Sequence, residues 1–211
     1  MTLFIRTAIG FATLMVLIVL PLGIFISRLR PKVNIALYWL VLYPTWYLSN
    51  TLFHEGAHFL TATVLGVQIK AVRLVPHFWR GDFANAYVNT GPWTPFQAAI
   101  TSTAPYWSGV LWVACGLLIL RRLKGAPLLL ASLVLTVFCL RPLADLVNNY
   151  LGIVAFRFGD FRYTAGALGY PLMHLLALSL LAATLAGCLY GVFGIVPRGT
   201  QAVPSEERSA T

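Results

Sequence analysis

Within the stretch SNTLFHEGAHFLTATVLG, Ser49 to Gly66, three residues have types and spacing suited to chemistry: His54, Glu55 and His58. Two histidines four apart on a helix project from one face, about a turn from each other, so both imidazoles reach a single metal ion. Zinc is the natural occupant of such a pair. In the H-E-x-x-H pattern the glutamate does not ligate; it takes a proton from a water that zinc has made acidic and passes it to a leaving amine. His54 and His58 are thus candidate ligands and Glu55 the candidate general base. With four histidines and three glutamates in 211 residues, random placement produces the pattern ~0.001 times. A purely structural trio is disfavoured as well, because an ionisable side chain at bilayer depth costs about 2.5–3.5 kcal/mol on insertion scales.

A catalytic zinc site normally has three protein ligands and one open position. The remaining acidic residues are Asp82, Asp145, Asp160, Glu206 and Glu207. His58 and His54 lie 8 and 12 residues before Gly66, and Asp145 lies 11 residues before Phe156. At about 1.5 Å per residue, helices ending on the same face put Asp145 and the two histidines at one depth. Asp145 is therefore the first candidate for third ligand. Asp160 is the alternative, expected at the surface unless a loop folds it inward. Arg141, four residues before Asp145, offers a competing intrahelical ion pair. Asn148 and Asn149 are candidates to orient the site or grip a substrate backbone, or else to line a helix break after Pro142. His77 and His174 read as structural, and Trp93, Trp107 and Trp112 as interface or packing aromatics.

The elements that must position these residues are apolar. The chain is 59% hydrophobic and 10% charged, against about 25% charged in soluble domains. This reads as an all-α polytopic membrane protein of about five transmembrane helices: Thr7 to Ser27, Val33 to Gly66, Phe96 to Leu120, Ala126 to Phe156 and Leu168 to Phe193. The first run has no small-x-small cleavage pattern and reads as a retained helix. Between the second and third spans, residues 67–94 carry β-branched runs around the turn-like WRGDFAN, which predicts a β-hairpin at the membrane surface. Thr94 and Pro95 predict a helix start. Residues 1–196 form one membrane-embedded domain, with a core at about 33–165, and the polar tail 197–211 reads as disordered. The basic loops 28–32 and 121–125 predict a cytoplasmic face. A net charge of +9 without a basic stripe argues against a nucleic-acid partner and for lipid headgroups. Cys115, Cys139 and Cys188 lie far apart in apolar runs and read as packing residues.

An H-E-x-x-H inside an apolar helix, followed by a hairpin, another span and a distal Asp after a proline, resembles the site-2 protease family of intramembrane zinc metalloproteases. The likeness covers roughly Thr51 to Gly152. HEGAH with FLTATVLG matches the metal helix; STAPYWSG stands where the family often has a small-Gly-Pro run, and RPLADLVNN where it has a proline before Leu-Asp-Gly. Asp145 is not followed by Gly, the family's Asn before that proline is missing, and an additional apolar stretch precedes Asp145. The resemblance implies a divergent, minimal member without a PDZ domain, with His54 and His58 as ligands, Glu55 as base and Asp145 as third ligand. It implies a zinc endopeptidase of a prokaryotic cell membrane that cleaves a membrane-protein or peptide substrate in or near a transmembrane segment, with a regulatory partner protein. The competing readings are a catalytically inactive protease-like scaffold or chaperone, and a small cation or proton transporter.

Overall fold

The computed structural model describes residues 12, 15–29, 35–77, 80, 86–123 and 126–195. The start of the expected first span, parts of both basic loops, the hairpin tip at 81–85 and the polar tail lie outside the described residues. A π-helical turn, Met15–Val19, leads into α1, Leu20–Leu29. The long helix α2, Ile35–Val64, carries the H-E-x-x-H. Strands β1, Ile69–Arg73, and β2, Tyr87–Thr90, follow, and then helix α3, Pro95–Arg122. Helix α4 runs from Leu128 to Phe156, α5 is Phe161–Leu168 and α6 is Tyr170–Tyr190, ending in a π-helical turn at Gly191–Ile195.

Among the described residues, three helices rather than five are long and apolar enough to cross a membrane: Pro95–Arg122, Leu128–Phe156 and Tyr170–Ile195. The expected second span is a 30-residue helix, yet it is not among them. The physical reason is its own chemistry, since Asn50, His54, Glu55 and His58 interrupt its apolar run. Leu172, Leu175, Leu178, Leu185 and Leu189 of α6 stand exposed, as do Leu111 and Leu118 of α3. An outer surface this apolar is compatible with lipid contact.

Strands β1 and β2 pair antiparallel, Val72 opposite Val88, with a register shift between Ile69 and Ala71. The hairpin expected at 67–94 is thus present as a two-stranded sheet. The helix start is also where the sequence puts it: Thr94 caps α3 by accepting from the Gln97 N–H, and the Gln97 side chain returns to the Thr94 N–H. Gln97 also donates to the Leu65 carbonyl at 3.0 Å, tying the start of α3 to the end of α2.

Helix packing in lipid depends on close approach rather than on expelling water. Gly109 and Gly116 serve that approach: a Cβ on them would meet Pro142 Cβ at 3.1 Å and Phe138 Cβ at 2.6 Å, so α3 lies tightly on α4. In α4, a π-helical stretch, Leu135–Leu140, precedes Arg141 and Pro142. Proline cannot donate to the i−4 carbonyl and crowds it, and a wider turn before it relieves that crowding. One buried cluster gathers Ile18, Leu22, Leu42, Leu135 and Leu140; a second gathers Tyr106, Leu146, Phe161 and Met173 from α3 to α6. The site stands on the second cluster.

Candidate metal centre

The helical spacing of His54 and His58 does what it implies: their rings lie 4.8 Å apart, and their Nε2 atoms face each other at 3.2 Å. A third atom joins them. Asp160 Oδ2 lies 3.1 Å from His54 Nε2 and 3.4 Å from His58 Nε2. Each histidine's other nitrogen is engaged elsewhere. His54 Nδ1 donates to Asp145 Oδ2 at 2.7 Å, and His58 Nδ1 donates to the Thr101 carbonyl at 2.7 Å. A carbonyl can only accept, so His58 carries its hydrogen on Nδ1, and in the neutral ring Nε2 presents a lone pair. With both rings neutral, three electron-pair donors converge.

That donor set fits zinc. A tetrahedral ion with bonds of about 2.0–2.1 Å to N and O has ligand-to-ligand edges of about 3.3–3.4 Å. The separations of 3.2, 3.1 and 3.4 Å in the cluster match such an edge. Hydrogen-bonded outer partners on each imidazole are the usual means of fixing tautomer and ring orientation at a metal.

Asp160 arrives by the inward fold that the sequence reading required of it. Helix α4 ends at Arg157, which takes a left-handed conformation with φ 55°, and Gly159 follows with φ 90°. Two positive φ values within three residues reverse the chain, so Asp160 comes back over the end of α4 at the start of α5. Gly159 is favoured by its φ, and a Cβ there would also meet the Asn149 side-chain oxygen at 2.9 Å and push it aside. We expect Gly159→Ala to lose about 1–3 kcal/mol through backbone strain and to weaken metal binding by displacing Asp160. Thermal unfolding in detergent, read beside a zinc titration, tests both effects; an unchanged melting temperature and zinc affinity would refute the account of the turn.

Tyr106 completes the setting of this carboxylate, donating its hydroxyl to Asp160 Oδ2 at 2.6 Å while its ring stacks on Phe161 at 4.7 Å. Burial disfavours the ionised Asp160 carboxyl, but a proton carried on the facing Nε2 of His58 or His54 more than offsets this and holds it well below the usual carboxylate range, so a proton and a metal ion compete for the same place.

Asp145 is at the depth the sequence implies, but behind His54 rather than in the cluster. The expected ligand thus touches the ring nitrogen that faces away from Asp160. Asn149 Nδ2 donates to Asp145 Oδ1 and to the Asp145 carbonyl, both at 3.3 Å, while Asn148 is exposed. Arg141 does not pair within 4 Å of Asp145 among the described residues; its Nε donates to the Val137 carbonyl, and its guanidinium lies 4.8 Å over the Phe53 ring. His174 shares a 3.2 Å hydrogen bond with the Tyr150 hydroxyl, and His77 lies in the β1–β2 connector. Sequence reasoning missed Tyr106 and Thr101, which carry no motif.

Beside the cluster opens a cavity of about 420 Å³, lined by Glu55, His58, Thr101, Asp160, Trp93 and the residues from Tyr87 to Gly91. Glu55 thus shares a space with two of the three converging residues. Fold and site together define a chemical class: a helical chain with, among the described residues, three apolar helices of membrane-crossing length, and a His54, His58, Asp160 cluster able to hold a metal. Compared with protein-family models, curated proteins and solved structures, the chain matches none.

Proposed function

We propose that this chain is a membrane-embedded zinc endopeptidase in which His54, His58 and Asp160 hold the metal and Glu55 is the general base. The observation that carries the reading is the convergence of two Nε2 atoms and one carboxylate oxygen at 3.1–3.4 Å, with the far nitrogen of each imidazole already satisfied. Three acceptors facing one another repel unless a proton or a metal ion lies among them, and a metal ion satisfies all three at once. Zinc bound there supplies a Lewis acid that makes water acidic near neutral pH.

The chain's own residues do the rest. Asp145, itself held by Asn149, fixes the His54 ring, and the Thr101 carbonyl fixes the His58 ring. Tyr106 holds the Asp160 carboxylate in place. Glu55 removes the proton from the attacking water as its oxygen bonds to the scissile carbonyl carbon. The same carboxyl returns that proton to the amide nitrogen as the C–N bond breaks, leaving an amine and a carboxylic acid, which then passes its own proton to the amine or to water. The substrate class follows from the surroundings. Trp93 and strand β2 beside the cavity suit an extended polypeptide, and the apolar helices suit one that enters from a membrane. A transmembrane substrate must first unwind, because helical hydrogen bonds hide its carbonyls.

The test is metal content and cleavage measured on one preparation. The purified chain is expected to hold about one zinc, and His54→Ala to lose both zinc and cleavage of a labelled membrane-protein substrate. A chain that binds zinc and cleaves nothing would favour the inactive scaffold; gradient-driven flux in vesicles without zinc would favour transport.

A further inference from the structure

A second hollow opens between α3 and the corner where α5 meets α6, and its lining shares no residue with the cavity at Glu55. It measures about 370 Å³, with Phe96, Ile100, Trp107, Leu168 and Leu176 in its walls. The hydroxyl in it, on Thr103, already donates to the Ala99 carbonyl at 2.7 Å, so the walls offer hydrocarbon contact rather than hydrogen bonds. Phe96 and Trp107 are exposed, so the hollow lies on the outer, lipid-compatible face. From Pro95 to Trp107 the helix rises about 18 Å, close to half of a hydrocarbon core roughly 30 Å thick. A helix about 10 Å across would fill on the order of 1,000 Å³ over that length. The hollow therefore suits a single hydrocarbon chain better than a packed helix.

At the start of α3 this hollow adjoins another, lined by Trp93, Arg162 and Tyr163, with Pro95 and Ala167 common to both. Helix α5 buries Phe161, Thr164 and Ala165 and leaves Arg162, Tyr163 and Gly166 exposed, the pattern of a short helix lying along an interface. The Trp93 and Tyr163 rings meet edge to face at 5.3 Å, and both residue types collect at headgroup level. Among the described residues no carboxylate lies within 4 Å of the Arg162 guanidinium, and none lines this mouth. We propose that hollow and mouth together bind one anionic phospholipid, its acyl chain along α3 and its phosphate on Arg162. A guanidinium on a long stem reaches a phosphate and pairs with it through two N–H groups. The ammonium of a zwitterionic headgroup finds no acid there and meets a like charge instead. The chain's net charge of +9 draws anionic lipid in the same sense. Neither the metal nor Glu55 takes part, so this inference is independent of the peptidase reading.

The full chain in maltoside micelles, titrated with phosphatidylglycerol or phosphatidylcholine brominated in mid-chain, tests both halves through quenching of tryptophan emission. Phosphatidylglycerol is expected to quench the parent at about five-fold lower concentration than phosphatidylcholine, the preference that one basic side chain confers. Arg162→Gln should bring the two lipids level, and Arg162→Lys should keep most of the preference. Trp107→Phe should lose the part of the emission that phosphatidylglycerol quenches first, which places the acyl chain in the hollow. All three substitutions fall on exposed side chains, so the melting temperature should hold, and the comparison of lipids on the parent needs no variant. Equal quenching of the parent by both lipids overturns the proposal, as does a preference that survives Arg162→Gln or an early quenching that survives Trp107→Phe. Protection of Trp107 by a membrane-spanning peptide, with no preference between lipids, would make the hollow a protein-docking face and overturn it too. None of these results bears on zinc content or cleavage.

Discussion

Asp160→Ala is expected to empty the metal site, whereas Asp145→Asn should leave about one zinc per chain bound on the order of 10–100-fold more weakly. The two carboxylates differ in what they touch. Asp160 Oδ2 faces both Nε2 atoms, at 3.1 and 3.4 Å, so it is one of three groups able to bond one ion. Asp145 Oδ2 receives the His54 Nδ1 hydrogen at 2.7 Å and, in the proposed site, would act on a metal only through the ring it orients. Asparagine can still accept that hydrogen at Asp145, but alanine at Asp160 removes a ligand outright. Metal analysis of the purified variants gives the stoichiometry, and competition with a chelating dye gives the affinity. The reverse result, with Asp145→Asn empty and Asp160→Ala loaded, would return the third-ligand role to Asp145.

The contrast between these two residues also marks what a sequence can carry. Helical rise is a local property, so matching depth along two helices brought Asp145 to His54 across 91 residues. Depth does not tell which nitrogen of a ring a carboxylate meets: Asp145 meets His54 Nδ1, and Asp160 meets Nε2. Asp160 was held at the surface because α4 ends just before it. Gly159 was the available signal for a turn, but Arg157 at φ 55° was not foreseeable, since side-chain-bearing residues rarely adopt that conformation. Helix α5 left a fainter trace, with Phe161, Thr164 and Ala165 buried at helical spacing inside what reads as a connector. The capping box at Thr94 was legible because all of its parts lie within four residues. Among the described residues three of the five expected spans are found; the first begins outside them, and α2, carrying Asn50, His54, Glu55 and His58 beside its tyrosines and tryptophans, is less apolar than its length suggests.

Glu55→Gln is expected to retain zinc at the parent stoichiometry and to lose cleavage by at least the 10²–10⁴-fold that a positioned acid–base group typically contributes. Glutamine keeps the volume and a polar end, so the wall of the cavity that Glu55 shares with His58 and Asp160 is preserved. It cannot accept a proton. Glu55 has no place among the converging ligand atoms, which are supplied by His54, His58 and Asp160. Loss of turnover without loss of metal is therefore the signature that distinguishes a base from a ligand, and it is the opposite of what His54→Ala should do. The variant also divides the functional readings. A scaffold that only binds a partner tolerates Glu55→Gln, because neither shape nor metal changes, and full function in that variant would rule out peptide hydrolysis at this site. A peptidase does not tolerate it, because the water's proton then has nowhere to go and the amide nitrogen has nothing from which to take one.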